Sequence, residues 1–205
     1  MRTANFATVA LAAILTAACV AANNRENRMA FGPTSNLNDF TVLFGEWSNT
    51  IGVDPLEIIC TDPNGNVAPE GVLIANMSAI ENGSRFARYN KGTVAGEIGQ
   101  GLFLFSGTDT SSPGFALTFQ TDGVRLRRWD GTAFTSDSFA FISIATVVGD
   151  LCECRINGTT LRVYLNGSAI GAYTHAGIAG ITRFGLRCPH DSAPQRYANF
   201  EAGSL

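Results

Sequence analysis

Five cysteines, two histidines and seventeen carboxylates are the groups through which this chain of 205 residues could do chemistry. Their spacing does not assemble a reactive site. His175 and His190 lie in no H-x-x-x-H string, and no G-x-S-x-G is present. His190 sits in Cys188-Pro189-His190-Asp191-Ser192. Adjacency of His, Asp and Ser reads there as a turn, because a triad is built in space rather than along the chain. The run Gly96-Glu97-Ile98-Gly99-Gln100-Gly101 lacks the Lys and the strand-to-helix setting of a phosphate loop. Glycoside cleavage needs two carboxylates across a cleft, but Glu153 stands alone between Cys152 and Cys154 and reads as a solvent-facing strand residue. The expectation is a protein without a catalytic site.

The remaining chemistry is that of binding. Cys152 and Cys154 are two apart, so on a strand they share a face and cannot easily bond to each other. Either could pair with Cys60 or Cys188. The competing reading is that all are small buried hydrophobes, with Cys19 left over in an odd count. A lone C-x-C gives no zinc set, so no metal ligands are assigned. The loop acids Asp109, Asp122, Asp130 and Asp191 have the oxygen chemistry that suits calcium, although no string groups them. Sugar binding usually rests on an aromatic platform with polar neighbours. Trp129 beside Arg127, Tyr164, Tyr173 and Tyr197 are the candidates, with core packing the alternative for each ring. Net charge is −3 and the fourteen Lys and Arg are dispersed. The Arg125, Arg127 and Arg128 cluster is a weak footprint for nucleic acid, and none is expected as a partner.

These groups must be positioned by strands. Charged residues are only 15%, against roughly 25% in an average domain, and there are 22 Gly and 14 Phe. From Asp39 onward short apolar or alternating runs are separated by turn residues. Strands are expected near Phe40–Phe44, Trp47, Leu56–Cys60, Val72–Met77, Gly101–Phe105, Phe115–Gln120 and Val124–Trp129, and then near Phe139–Val148, Cys152–Ile156, Leu161–Leu165, Ser168–Tyr173, Ile181–Cys188 and Tyr197–Ala202. Asp122-Gly123, Asn157-Gly158 and Asn166-Gly167 read as hairpin turns. In the first hairpin Val124, Leu126 and Arg128 share one face, and Arg125, Arg127 and Trp129 the other. Consecutive hairpins mean an antiparallel sandwich or barrel rather than a parallel α/β fold.

Ahead of this domain, Thr3 to Asn24 is free of charge and Ala-rich. Residues 1–23 read as an apolar segment with three meanings left open. One is an export signal ending in small residues, with Leu15-Thr16-Ala17-Ala18-Cys19 a lipobox whose Leu is one position early. Another is a marginal membrane span. The third is a retained helix that assembles with copies of itself or another protein. Residues 24–38 read as a linker, and 39–205 as the β domain.

Cys154-Arg155-Ile156-Asn157-Gly158 to Leu161-Arg162-Val163-Tyr164-Leu165-Asn166-Gly167 resembles the strand–turn–strand of concanavalin A-like and laminin G-like domains. Arg183-Phe184-Gly185-Leu186-Arg187, Tyr197-Ala198-Asn199-Phe200 and the opening Asp39-Phe40 with Gly45-Glu46-Trp47 are similar to their other signature strands. Ala198 stands where many relatives carry Asp. The resemblance implies an all-β, antiparallel jelly-roll β-sandwich. Catalytic glucanases of this fold carry E-x-D-x-x-E, which is absent here. Asn24-Arg25-Glu26-Asn27-Arg28-Met29-Ala30 resembles leaders of phage head and tail proteins. Together these lead to the expectation of a non-catalytic surface module: a homo-oligomeric virion decoration protein, joined to virion partners by its leader and adhering to host or extracellular glycans. The alternative is an exported bacterial surface protein or outer-membrane lipoprotein that binds carbohydrate.

Overall fold

Alternation of apolar side chains along the strands builds two seven-stranded sheets and decides how they meet. The computed structural model describes residues 37–49, 57–62, 71–80, 83–94, 99–109, 111–135, 140–189 and 195–205. The expected leader and nearly all of the linker lie outside the described residues. The strands are β1 (Phe40–Phe44), β2 (Glu46–Asn49), β3 (Glu57–Asp62), β4 (Gly71–Ala75), β5 (Arg85–Val94), β6 (Gln100–Phe105) and β7 (Gly114–Phe119). They continue with β8 (Val124–Trp129), β9 (Ala140–Ile142), β10 (Leu151–Asn157), β11 (Thr160–Leu165), β12 (Ser168–Thr174), β13 (Arg183–Cys188) and β14 (Gln195–Ser204). One sheet runs β1-β4-β13-β6-β7-β8-β9 and the other β12-β11-β10-β5-β14-β3-β2. Every pairing is antiparallel. The chain crosses repeatedly between the sheets, as in a jelly roll.

The inward faces interdigitate as in aligned sandwiches. Leu73, Leu102, Leu104, Leu117 and Phe184 from the first sheet meet Tyr89, Cys154, Val163, Tyr197 and Phe200 from the second in one cluster. A second cluster lies on the outward face of the first sheet: Val72, Ile74, Phe103, Phe105, Ala116 and Trp129, with Leu43 and Phe134 against it. The middle of this sheet is therefore buried on both faces, and β4, β6 and β7 are buried at every position. Phe134 bridges to Trp129 after the chain turns back, with ring centroids 5.1 Å apart.

Two hairpins follow the turn chemistry of their residues. Asn166 and Gly167 both have positive φ (52° and 81°) in a two-residue loop between Leu165 and Ser168, a type I′ turn. Gly158 (φ 56°) opens the loop between Asn157 and Thr160. That loop is Gly158-Thr159, one position later than the expected Asn157-Gly158, and the β7–β8 turn also differs from expectation by one position. Gln120 and Gly123 exchange backbone hydrogen bonds, so Thr121 and Asp122 form the loop. Gly123 is needed for close approach instead, since a Cβ there would meet the Ile142 carbonyl and the Phe141 ring.

Two further expectations change. Strand β5 was not anticipated, because its inward Ala87 and Tyr89 are interleaved with Arg85, Arg88, Asn90 and Lys91. The stretch expected as one strand to Val148 yields strand only over Ala140–Ile142. Beyond it Thr146 turns inward. Its hydroxyl donates to the Gln120 carbonyl and accepts from the buried Lys91 Nζ at 2.7 Å. Burial lowers the Lys91 pKa.

Gly185 sits where β13 passes β4, and a Cβ would overlap the Leu73 carbonyl oxygen. Gly185→Ala is expected to cost about 1–3 kcal/mol, the usual penalty for forcing a group into filled space. An unchanged urea midpoint would show that the two strands are not so closely apposed.

Candidate functional site

Strands β10 and β11 carry their polar residues outward, away from the sandwich. Register places Glu153 opposite Tyr164, Arg155 opposite Arg162 and Asn157 opposite Thr160. Beside these residues lies an open groove of about 330 Å³, lined by Ser84, Arg155, Ile156, Asn157, Thr160, Arg162, Tyr164 and Leu205. The Arg155 guanidinium lies over the Tyr164 ring, 4.2 Å from its centroid. Its Nε donates to Glu153 Oε1, and that hydrogen bond raises the Arg155 pKa further. Glu153 itself is 2% exposed, so the expectation of a solvent-facing carboxylate is corrected. It is buried under its register neighbours Arg88 and Tyr164 and its partner Arg155. Arg162 is exposed and pairs with no carboxylate among the described residues. The groove thus offers a half-buried, oriented tyrosine, a paired cation, an unpaired cation and several hydroxyl and amide groups.

A second hollow, about 270 Å³, opens at the rim where the β7–β8 hairpin meets the end of β12. Phe115, Arg128, Trp129, Asp130 and His175 contribute to it. His175 caps the 3-10 turn Ala176–Gly180, its Nδ1 accepting from the Gly177 N–H at 3.0 Å. Its Nε2 is 3.2 Å from Arg128 Nη1. Tyr173 stacks nearly parallel on the imidazole, and Phe115 meets it edge-on.

The structure disperses the five residues expected to bind glycan, and Tyr197 is corrected to a fully buried core ring. Tyr164 lies in the groove. Tyr173 is half-buried against the core beside His175. Arg127 lies over the Phe134 ring at 4.4 Å. Trp129 requires correction as a platform: at 2% exposure its ring is part of the second apolar cluster and only edges the rim hollow. Alternation put it outward as expected, but outward on that sheet is not solvent. Sequence reasoning passed over Arg162 and Arg155, which pair because the loop is Gly158-Thr159 rather than the expected Asn157-Gly158. The Arg128–His175 contact spans two distant segments and had no local signal.

The acids considered for calcium are held by local hydrogen bonds. Asp109 accepts from Ser111 and Ser112, and Asp130 from Thr132 and Ala133, which lowers both pKa values. Asp122 pairs with Arg125 at 2.7 Å. Asp191 and His190 lie outside the described residues. Among the described residues no group of three or more His, Cys, Asp or Glu could hold a metal ion. Cys152, Cys154 and Cys188 are free thiols and, like Cys60, buried, which sets aside the disulfide alternatives among the four.

A sandwich of two antiparallel seven-stranded sheets with this connectivity is a concanavalin A-like jelly roll. Solved structures share it. A carbohydrate-binding module, CBM66, from Bacillus subtilis matches at a TM-score of 0.59 and 14% identity, covering 81% of this chain and 96% of that one. The Emp46p carbohydrate recognition domain in its potassium-bound form matches at 0.53 and 14%, covering 82% and 90%. A sialidase matches at 0.58 and 15%, covering 87% of this chain but 18% of that one. At these identities the likeness shows the fold. No protein-family model matches the chain, and no curated protein does.

Burial pushes the Cys152 and Cys154 thiols up to about 12. Unfolded thiols ionise near about 8.5, so the unfolded chain loses these protons first. Stability is intact below that pH and falls as pH rises toward 12. Ellman's reagent at pH 8 should leave both thiols unreacted until urea is added. The urea midpoint should fall more steeply above pH 9 than in a Cys152→Ala/Cys154→Ala variant. Rapid native labelling of either thiol would contradict the burial.

Proposed function

We propose that the chain is a non-catalytic glycan-binding module that takes a saccharide into the outward groove of the second sheet. The observation that carries this reading is Tyr164. It is half-buried, lines the groove and is fixed in orientation by the stacked Arg155 guanidinium. Flat rings match the apolar face of a pyranose, and fixed donors around them match its hydroxyls. Arg162, Asn157 and Thr160 supply those polar groups on neighbouring positions. Two structures that share the fold are named as a carbohydrate-binding module and a carbohydrate recognition domain, which supports the same reading.

Display from the N-terminal segment follows from residues 1–30. The Asn24–Ala30 stretch supports a place on a virion, and the lipobox-like Leu15–Cys19 supports an exported bacterial surface protein. Intact mass of the protein from its native source separates them. A full-length mass supports the virion reading, and loss of roughly the first 18–22 residues supports export.

On a panel of immobilised glycans, Tyr164→Ala and Arg162→Ala should each weaken binding at least about tenfold, or about 1.4 kcal/mol. Tyr164→Phe should retain most of it, and the thermal midpoints should match wild type. Absence of binding to any glycan would refute the module. Hydrolysis of a bound polysaccharide that disappears in Glu153→Gln would refute its being non-catalytic.

A further inference from the structure

The outward face of the second sheet is ordered in rows that run across its strands. In one row Tyr164 (β11), Glu153 (β10), Arg88 (β5) and Glu201 (β14) are successive register partners. Both carboxylates of that row are matched, Glu201 by Arg88 and Glu153 by Arg155. In the next row Arg162 stands directly opposite Arg155, with Ala172 on one side of the pair and Phe86 on the other. Like charges directly opposite each other on one face repel. Arg155 is offset by Glu153, whereas Arg162 is exposed and meets no carboxylate among the described residues. Across the two rows Arg88, Arg155 and Arg162 are set against Glu153 and Glu201 alone, so one cation is left over. Among the described residues no Asp or Glu side chain lines the groove that Arg155 and Arg162 share.

We propose that the groove takes an acidic saccharide, one that carries a carboxylate or a sulfate ester, and that Arg162 reads its charge. This rests on the groove being the glycan site, with the sugar ring on Tyr164. Arg162 and Tyr164 share a face two residues apart, about 7 Å along the strand. One sugar stacked on the tyrosine can therefore place its acidic group at the guanidinium. A guanidinium presents a rigid planar fork that matches two oxygens of an anionic group, and such charge-assisted bonds are roughly twice as strong as neutral ones. Arg155 has a different task. Its Nε is held by Glu153 and its plane rests on Tyr164, so it orients the ring. An anion beside the two guanidiniums also relieves their mutual repulsion. A long polyanion is less well served, because nucleic acid is held by many cations at once and this chain carries a net charge of −3.

Matched glycan pairs test this on the full chain: sialyllactose against lactose, oligogalacturonate against its methyl ester, and chondroitin sulfate against desulfated chondroitin. The first two pairs read a carboxylate and the third a sulfate. In at least one pair the more acidic member should bind about tenfold tighter or better. Raising salt from about 0.05 to about 0.5 M should shrink that ratio, because exposed charges are screened. Arg162→Gln should bring the ratio to within about twofold, and Arg162→Lys, which keeps the charge without the fork, should preserve part of it. Tyr164→Ala should weaken both members of the pair. Less acidic members that bind as tightly as their partners would overturn the proposal and leave the glycan module standing. A ratio unchanged in Arg162→Gln would overturn the role of Arg162. Tighter binding of a single-stranded oligonucleotide than of any acidic glycan would overturn it in favour of nucleic acid. No binding to any glycan would remove both the proposal and the reading on which it rests. The wild-type ratio and its salt dependence decide by themselves if a variant does not fold.

Discussion

Phe134 closes a face that alternation alone would have given to solvent. It sits with its ring 5.1 Å from Trp129, under the guanidinium of Arg127 at 4.4 Å and that of Arg187 at 5.1 Å. Cation–π contacts contribute from about 0.5 kcal/mol when exposed to about 2 when desolvated, and Arg187 is 3% exposed. The arginines thus act as lids whose alkyl stems and planar heads cover apolar surface. Beneath this layer Phe103 and Phe105 lose all contact with solvent. Sheets buried on both faces are unusual in antiparallel sandwiches, where one face normally remains wet. With this face occupied, recognition is left to the outward face of the second sheet and to the open rims.

The second sheet's outward face is organised differently. Arg88 pairs with Glu201 at 2.6 Å and Arg196 with Glu57 at 3.3 Å, while Glu153 holds Arg155. Partly exposed ion pairs contribute little stability, commonly 0–1 kcal/mol, so their effect here is chiefly geometric. Glu153 is the exception in burial. A carboxylate removed from water needs a partner, and Arg155 meets that need with its Nε while its plane rests on Tyr164. One buried charge thereby sets the orientation of an accessible ring. This is the kind of supporting contact that keeps a binding surface ordered before its ligand arrives.

The sequence made the strands legible wherever period-two alternation was clean. From Val124 to Trp129 and from Leu161 to Leu165 the residues occupy the expected faces. Asn166-Gly167 specified its turn because two successive residues with positive φ exclude most other side chains. Strand β5 stayed hidden because Arg85 and Lys91 are buried polar residues in a strand that otherwise reads as surface. Arg85 is accommodated by backbone carbonyls of Ile80, Ile181 and Ala179, partners that only the folded chain supplies. Trp129 was legible as to face and illegible as to burial, since burial depended on Phe134 returning over it. The rim hollow was illegible altogether, because Arg128 and His175 meet only once the two sheets have stacked.

The groove and the rim hollow share a support in the β11–β12 pair. Its register shifts between Val163 and Tyr164, where Val163 faces Gly171 and Tyr164 faces Ala169, so Ile170 is the extra residue of a bulge. A bulge increases local twist and re-aims the side chains that follow it. Here it lies on an edge strand, where an irregular ladder also discourages pairing with another chain. Before the bulge the pair presents Tyr164 outward. After it β12 carries Tyr173 against the core and delivers His175 to the rim. Ile170 and Ile142 anchor the edge by packing on the central cluster, and Gly171 lets Ile142 approach closely. Straightening this pair would shift β12 by one residue and reverse the facing of every side chain beyond the bulge. Tyr173 would then leave the core, and His175 would lose its place beside Arg128. The bulge therefore fixes the geometry of the rim without touching any ligand, while the Gly158-Thr159 loop holds the β10–β11 register on which the groove depends.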